Sequence, residues 1–265
     1  MAMSGFGNTT NTKNLSAKSA RKPWRCIAIT LDPEGKRYQT FLENNNHLQV
    51  ETFLGVKGAD LTKEEMISQG LAAKELVFSP LLKYGLVGNA ASHRAIWGKA
   101  IQENKCYFVL EDDCYTHPRT ADFINDNLAL LMNVDICFFG INTDSILQSI
   151  SPTGLASLSL FDPKHPSEEW IRNALSKTSV EEVALHRLIK AFGFCTYFIS
   201  PGGAKKLSAA IFPLSLATTK IPLITKTMPA ISIDRAGCST YSSLRAFICQ
   251  PFLAYTPNTD SQTRE

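Results

Sequence analysis

The chain has 265 residues, of which 44% are apolar and 19% are charged. This composition is typical of globular domains and supplies enough apolar side chains for a large core, so it excludes a mostly disordered protein. No apolar run approaches the roughly 20 residues that a membrane-spanning helix needs, so none is predicted.

The net charge of +3 is unevenly distributed along the chain. Five basic and no acidic residues fall within residues 1–25, which leaves 22 basic and 24 acidic residues for the rest. A nearly neutral main part argues against a nucleic-acid-binding surface. Residues 1–23 are rich in Ser, Thr, Asn and Lys, and they are predicted to form a disordered tail. This tail is either a solvated leader or a weak electrostatic tether to anionic lipid.

Residues 24–140 alternate apolar runs with segments of helical periodicity. Strands are predicted at residues 24–31, 48–53, 106–110 and 134–139. Helices are predicted at residues 34–45, after a Thr62–Glu65 capping box, at 89–104 beyond a loop at 85–88, and around 123–131. Strands joined in this way form right-handed parallel units. The predicted fold class is therefore α/β, with a mainly parallel central sheet flanked by helices.

Residues 141–166 show no period and contain several Pro and Gly residues, which predicts a long irregular excursion. Beyond it, the predicted elements are a helix at 167–176, a helix or strand at 185–190, a strand at 192–199, a helix from Ser200 to about Ile211, and a short strand at 231–233. No linker is evident, so residues 24–255 are predicted to form a single domain. Residues 256–265 are predicted to be a frayed polar tail.

The seven cysteines favour a reducing compartment. Their number is odd, and no C-x-x-C pair occurs. Several lie inside apolar runs, where cysteine behaves as a small hydrophobic residue. Free thiols and a cytoplasmic protein are therefore predicted.

The strongest local signal is the acidic triplet Glu111, Asp112 and Asp113, which directly follows a buried strand. In open α/β sheets, ligands bind beyond the carboxyl ends of the strands. Adjacent carboxylates repel one another unless a cation neutralises them, and oxygen-only ligation suits Mg²⁺ or Mn²⁺. A metal site is predicted here, although a solvated acidic loop has the same sequence signature.

Other chemistries have weaker support. Asp113, Cys114 and His117 have the residue types of a zinc cluster, but a fourth ligand is not obvious. Ser92 and His93 are adjacent, but no nucleophile elbow accompanies them. The glycine fingerprints of P-loop and Rossmann proteins are absent from the sequence.

The order of four sequence blocks resembles glycosyltransferase family 25, the lipopolysaccharide glycosyltransferases related to the collagen galactosyltransferase domain. The blocks are IAITLDPEGKRYQTF (residues 27–41), GLVGNAASHRAIWGKAI (85–101), YFVLEDD (107–113) and FCTYFISPGGAKKL (194–207). A weaker fifth block is SIDRA, at residues 232–236. The family often has Cys where Asn89 stands.

The resemblance implies a GT-A-like fold that binds a nucleotide sugar. It places Asp112 and Asp113 at the metal-binding carboxylates and Arg37, Ser92 and His93 near the donor site. Asp234 matches a later acidic position and is the candidate general base. The metal set is predicted as Glu111, Asp112 and Asp113, and Asp112 is also expected to contact the donor.

The implied activity is metal-dependent, inverting transfer of a hexose from a UDP-sugar to a glycan acceptor, with lipopolysaccharide or lipooligosaccharide as the expected acceptor. Galactose is favoured over glucose, and Mn²⁺ or Mg²⁺ is the expected cofactor. The basic tail would add peripheral contact with an anionic membrane. Asp144 and Asp162 are reserve candidates for the base, and acceptor specificity is expected in residues 141–169. The alternatives are a degenerate, non-catalytic sugar-nucleotide-binding relative and a metal-dependent phosphohydrolase.

Overall fold

The computed structural model describes residues 23–220 and 227–258, and elements are numbered along the chain. These residues form a central sheet whose strands, in spatial order, are β2 (Glu51–Leu54), β1 (Trp24–Thr30), β3 (Cys106–Glu111), β9 (Thr196–Ile199), β5 (Ile136–Gly140), β12 (Ala246–Gln250), β8 (Ala184–Ala191), β6 (Ile146–Ile150) and β7 (Ala156–Leu160). Two small ribbons pair β4 (Tyr115–Thr116) with β13 (Ala254–Tyr255), and β10 (Thr218–Lys220) with β11 (Thr227–Pro229).

Helices flank this sheet. They are α1 (Lys36–Asn44), α2 (Lys63–Ser68), α3 (Lys74–Val77), α4 (Tyr84–Glu103), α5 (Thr120–Asp126), α6 (Leu128–Leu131), α7 (Glu168–Lys177), α8 (Pro201–Ile211) and α9 (Ile233–Cys238). The predicted α/β class, with a central sheet flanked by helices, is confirmed.

Parallel pairing is concentrated in the first part of the chain, as the strand–helix alternation there predicts. Strand β1 pairs in parallel with β2 and β3, and β5 pairs in parallel with β12. Strand β9 runs antiparallel between β3 and β5, and the strands beyond β12 are also antiparallel to their neighbours. The sheet is therefore mixed, and the carboxyl ends of β1 and β3 meet at one edge.

Both faces of the sheet are buried, which explains the continuous apolar runs of its central strands. Tyr107 and Val109 of β3 belong to one core cluster, while Phe108 and Leu110 belong to the cluster on the opposite face. Helix α4 covers the first face with Trp97, whose side chain is fully buried. Burying each such apolar side chain contributes about 1.5–3 kcal/mol, so both layers contribute to the stability of the fold.

Helix α4 begins earlier than predicted, because residues 85–88 are helical rather than a loop. A Cβ at Gly88 would lie 2.5 Å from the backbone N of Gly58 and the backbone O of Val56. Glycine here lets the loop after β2 pack directly on the helix backbone. That packing outweighs the roughly 1 kcal/mol that glycine costs a helix relative to alanine.

Two predictions for the second half of the chain are wrong. Residues 141–166 are not wholly irregular, because they contain the antiparallel hairpin of β6 and β7. Strand β7 lies at the sheet edge and is mostly exposed, and its sequence ASLSL does alternate apolar and polar residues, a strand signal that the Pro and Gly residues around it obscured. Residues 231–233 are not a strand, because Ser232 precedes helix α9 as its N-cap residue. The ambiguous segment 185–190 is a strand, within β8.

The capping predictions are confirmed at two helices. Thr62 and Glu65 form a reciprocal capping box at α2, and the Ser200 hydroxyl accepts a hydrogen bond from the Gly203 N–H at the start of α8. Ser179 and Glu182 have the spacing of a second capping box, but the Ser179 side chain does not cap the short 3-10 helix that follows it. All seven cysteines are buried free thiols, as predicted. Within the described residues, no helix combines the length and apolarity needed to cross a bilayer.

The described residues include only part of the two predicted tails. Residues 1–22 and 259–265 lie outside the described residues, so the prediction of a disordered basic tail is not addressed there. Thr256, at the start of the predicted C-terminal tail, is buried, and Asn258 hydrogen-bonds His165. These three residues, 256–258, pack against the domain.

Candidate functional site

A cavity of about 840 Å³ opens at the sheet edge where β1 and β3 end. Ile29 lies opposite Glu111 in the β1–β3 ladder, so the residues that follow on each strand lie side by side. Polar and charged side chains line much of the wall, contributed by Asp32, Arg37, Lys57, Asn89, Ser92, Glu111, Asp112, Asp113, Asn142, Asp234, Thr256 and Asn258. The two acidic sites that the sequence singled out therefore belong to one cavity.

Asp112 and Asp113 share one guanidinium group. Arg37, in the first turn of α1, donates from Nε to Asp112 Oδ1 at 2.7 Å, and its Nη2 lies 3.2 Å from Asp113 Oδ2. Burial and the nearby charge of Glu111 raise the pKa of Asp113 to about 7, and Arg37 offsets only part of this shift. Burial also raises the pKa of Asp112. The single positive charge of Arg37 faces two carboxylates, so the group retains a net negative charge when both carboxylates are ionised.

Glu111 has a separate set of partners. Its Oε1 accepts a hydrogen bond from Asn89 Nδ2 at 2.8 Å and lies 3.3 Å from His93 Nε2. Burial alone would raise the pKa of Glu111, but the contacts with His93 and Asn89 hold it below its ordinary value. Glu111 is thus stabilised in its ionised form, whereas the raised pKa values of Asp112 and Asp113 show that their ionised forms are disfavoured.

His93 lies behind the cavity wall rather than on it. Its side chain is fully buried, and Nδ1 lies 2.8 Å from the Tyr197 hydroxyl. That hydroxyl accepts a hydrogen bond from Trp97 Nε1 at 2.9 Å, which leaves its own proton for His93 Nδ1. In the neutral ring, Nε2 then carries the proton toward Glu111. His93 was expected near the donor site, and the structure places it one layer behind, acting through Glu111.

Ser92 lines the cavity, but its hydroxyl is occupied by backbone. Ser92 Oγ donates to Gly88 O and accepts from Val56 N, each at 2.8 Å. These bonds fix the loop after β2 against helix α4. Gly88 and Ser92 of the second sequence block therefore hold together two segments that line the cavity.

Asp234 reaches the same cavity from the first turn of α9. Its Oδ1 accepts hydrogen bonds from the Ser232 hydroxyl and, at 2.9 Å, from the Arg235 backbone N–H. Burial raises the pKa of Asp234, and these two hydrogen bonds offset part of the shift. A half-buried carboxyl group with a raised pKa suits proton transfer.

The reserve carboxylates lie elsewhere. Asp144 Oδ2 is 3.2 Å from His165 Nε2, and Asp162 accepts a hydrogen bond from the Lys164 backbone N–H. Neither side chain is part of the wall of the 840 Å³ cavity. Geometry therefore favours Asp234 over both as the acid that faces a substrate there.

Several wall residues were not anticipated as site residues from the sequence. A hydrogen bond from Thr256 lowers the pKa of Asp113, against the larger effect of burial. Gly193 has φ +95, and a Cβ there would lie 2.4 Å from Asn142 Oδ1. The sequence marked Asn89, because it stands in the second block at a position where the family often has cysteine. Nothing in the sequence marked Thr256 or Asn142 as site residues.

The acidic pair suits a divalent cation that is completed by ligand oxygens. Within residues 23–220 and 227–258, no group of three or more His, Cys, Asp or Glu side chains is placed to hold a metal ion, so Glu111 does not join Asp112 and Asp113 in the predicted set of three carboxylate ligands. Magnesium-type sites commonly use one or two carboxylates together with water and substrate phosphates. Burial in a cluster of negative charge, seen in the raised pKa of Asp113, is what a bound cation would relieve. The residues present therefore fit such an ion.

The zinc alternative finds no support in the geometry. The Cys114 thiol is buried and donates to the Cys195 carbonyl oxygen at 2.8 Å, and burial raises its pKa well above the ordinary value. His117 Nδ1 accepts from the Arg119 backbone N–H. Both groups already hydrogen-bond within the protein. A zinc-binding thiol must also be deprotonated, which the raised pKa of Cys114 disfavours.

Comparison with known proteins gives one strong match. The model of glycosyltransferase family 25 (LPS biosynthesis protein) matches residues 26–221, which include every predicted site residue except Asp234. No curated protein matches the chain. Among solved structures, the crystal structure of A197 from STIV is similar over 85% of this chain and 80% of that one, with 10% identity and a TM-score of 0.35. A likeness that weak carries no argument.

Proposed function

Since the chain belongs to glycosyltransferase family 25 and is therefore a glycosyltransferase, we propose that it transfers a hexose from a UDP-sugar to a glycan acceptor of lipopolysaccharide or lipooligosaccharide. Galactose is the favoured hexose, ahead of glucose, and the reaction is metal-dependent and inverting. The observation that carries the proposal is that the Asp112–Asp113 pair and Asp234 line one cavity. Two carboxylate roles are needed, since a leaving diphosphate must be stabilised and an acceptor hydroxyl must lose its proton.

On the donor side, Asp112 and Asp113 would hold a Mn²⁺ or Mg²⁺ ion, and Glu111, whose carboxylate contacts Asn89 and His93, would support the pair from behind. When bound, the ion would stabilise the negative charge that develops on the departing diphosphate. Arg37 holds both carboxylates in position by its ion pairs. The hydrogen bonds of Glu111 to Asn89 and His93 keep that carboxylate ionised and oriented.

Another part of the cavity wall suits the nucleotide. Helix α4 begins there at Tyr84, and the first N–H groups of a helix favour phosphate oxygens. Apolar side chains that also line the cavity, among them Leu31, Leu61 and Leu86, offer a surface for the uracil ring. Phosphates would thus lie between the helix end and the acidic pair.

On the acceptor side, Asp234 acts as the general base. The acceptor oxygen attacks the anomeric carbon as the bond from that carbon to the diphosphate oxygen breaks, and the hydroxyl proton passes to Asp234. Attack from the face opposite the leaving group inverts the configuration. The raised pKa of Asp234 makes the ionised form a stronger base than an ordinary aspartate.

The test measures UDP release from UDP-galactose and UDP-glucose, with Mn²⁺, in the presence and absence of lipopolysaccharide core oligosaccharide. The proposal predicts release that depends on the oligosaccharide and is faster with UDP-galactose. Release that needs no acceptor would indicate a phosphohydrolase. UDP binding without any release would indicate a non-catalytic relative.

A further inference from the structure

A second cavity, of about 540 Å³, has an aromatic lining and is not used by the proposed donor chemistry. Four aromatic side chains surround it, Phe161, Trp170, Phe252 and Tyr255. They form a contiguous cluster, with ring centroids 6.3 Å apart for Phe161 and Phe252, 5.6 Å for Phe252 and Tyr255, and 5.3 Å for Trp170 and Tyr255. The cavity therefore presents ring faces and edges rather than aliphatic side chains.

The two cavities share a wall. Asn142 lines the first cavity, and the next residue, Thr143, lines the second. Likewise Tyr255 lines the second cavity and Thr256 lines the first. A molecule seated among the aromatic side chains therefore lies next to the cavity that contains Asp234.

Trp170 is exposed in a way that packing does not require. Helix α7 buries Ile171 and Leu175, whereas the Trp170 side chain next to them is 51% exposed. The Ser167 hydroxyl caps the helix by accepting from the Trp170 N–H at 3.2 Å, which fixes the backbone at this residue. A large aromatic side chain held at the mouth of a cavity is a feature of binding sites more than of helix surfaces.

The polar groups around the aromatic lining include one acid and one base. Asp162 and Lys164 line the cavity together with the hydroxyls of Thr143 and Ser167. This balance of charge suits an uncharged ligand that is rich in hydroxyl groups. An aromatic surface with a few polar groups matches a sugar ring, whose C–H face packs on the aromatic side chains while its hydroxyls hydrogen-bond around them.

We infer that this aromatic cavity is the acceptor subsite and binds a neutral pyranose ring of the glycan, a conclusion that rests on the proposed transferase function. Trp170 and Tyr255 contact the C–H face of the ring, and the shared wall directs the acceptor hydroxyl toward Asp234. The subsite lies mostly within residues 141–169, the segment where acceptor specificity was expected.

Tryptophan fluorescence tests the inference without relying on turnover. The chain has three tryptophans, and Trp24 and Trp97 are buried, so acrylamide quenching reports mainly on Trp170. Core oligosaccharide released from lipopolysaccharide by mild acid, added with UDP and Mn²⁺, should reduce the quenching at least two-fold. The Trp170→Phe variant should show little quenching with or without the sugar. Unchanged quenching of the native chain across the millimolar range would overturn the inference.

Kinetics give an independent arm. Trp170→Ala should raise the KM for the oligosaccharide about ten-fold, equivalent to about 1.4 kcal/mol, and leave the KM for the UDP-sugar unchanged. Leu130→Ala is the matched control, because Leu130 is 49% exposed on α6 and lines neither cavity, and neither KM should change. Equal acceptor KM values for native protein and Trp170→Ala would contradict the subsite.

Failure of this inference is distinguishable from failure of the proposed function. Calorimetry with UDP and Mn²⁺ on the same preparations reports on the first cavity alone. If UDP binds but the sugar does not protect Trp170, the acceptor subsite is wrong and the donor site stands. If UDP does not bind, the proposed function fails, and sugar protection measured without UDP still decides whether the aromatic cavity binds glycan.

Discussion

Asp113 and Asp234 line the same cavity, but different kinds of partner hold their carboxyl groups. Asp113 lies in a cluster of charge, beside Arg37, Asp112 and Glu111. Asp234 is held by two neutral donors, the Ser232 hydroxyl and a backbone N–H. A charged cluster suits a permanent ionic partner, whereas neutral donors leave a carboxyl group able to gain and lose a proton. The difference supports a division between donor binding and proton transfer.

The largest expected effect is on turnover when the base is removed. Asp234→Asn should lower kcat by about 10²–10⁴-fold, because proton transfer matters only in the transition state. Asp122→Asn, which changes a side chain 64% exposed on α5, is the matched control and should leave kcat unchanged. Near-normal turnover of Asp234→Asn would redirect the assignment to Asp144 or Asp162.

Metal removal tests the role proposed for Asp113 and its neighbour Asp112. EDTA should weaken UDP binding at least about ten-fold, since the excess negative charge of Asp112 and Asp113 would then repel the diphosphate. Restoring Mn²⁺ should restore the affinity. Calorimetry measures the affinity for UDP in the two buffers. Equal affinities would show that UDP binding does not need the metal.

A smaller effect is expected in the pH profile. Asp234 must be ionised to accept a proton, and burial raises its pKa. Turnover should therefore fall on the acid side at a pH above the ordinary titration range of aspartate, and rise as the group ionises. The profile of kcat at saturating Mn²⁺, donor and acceptor measures it, because a bound cation would keep Asp113, whose own pKa is about 7, ionised across the acid side of the profile. An acid limb at or below the ordinary aspartate range would contradict the raised pKa.

The smallest effect is expected at the N-terminal tail. Removing residues 1–22 should change neither the melting temperature nor turnover on a soluble acceptor, because this segment has few apolar side chains with which to pack. Binding to anionic vesicles should weaken in a salt-sensitive way, with each lost basic residue worth about 1 kcal/mol. A fall of several degrees in the melting temperature would show that the tail packs on the domain.

The same contrast shows how far sequence reasoning reaches. Glu111, Asp112 and Asp113 could be placed at a ligand-binding edge because a buried strand directly precedes them. The parallel direction of β1 and β3 follows from strand–helix alternation, which is a local signal, whereas their lying side by side does not. Asp234 had no such local signal, and its match came from the family resemblance alone.

The remaining features depend on contacts that are distant in sequence. Thr256 meets Asp113 across more than a hundred residues, and nothing in its own sequence neighbourhood marks it. The burial of His93 depends on Tyr197, which β9 brings to it. Trp170 and Tyr255 meet only because α7 packs beside the β4–β13 ribbon. Periodicity can predict that such elements exist but not which of them become neighbours.

The division between the two acidic sites is tested most directly by UDP titration calorimetry of Asp113→Asn and Asp234→Asn beside the native chain, at one Mn²⁺ concentration. Asp234→Asn should bind UDP like the native protein, and Asp113→Asn should bind it at least about ten-fold more weakly. Loss of UDP binding in Asp234→Asn, or native affinity in Asp113→Asn, would contradict that division.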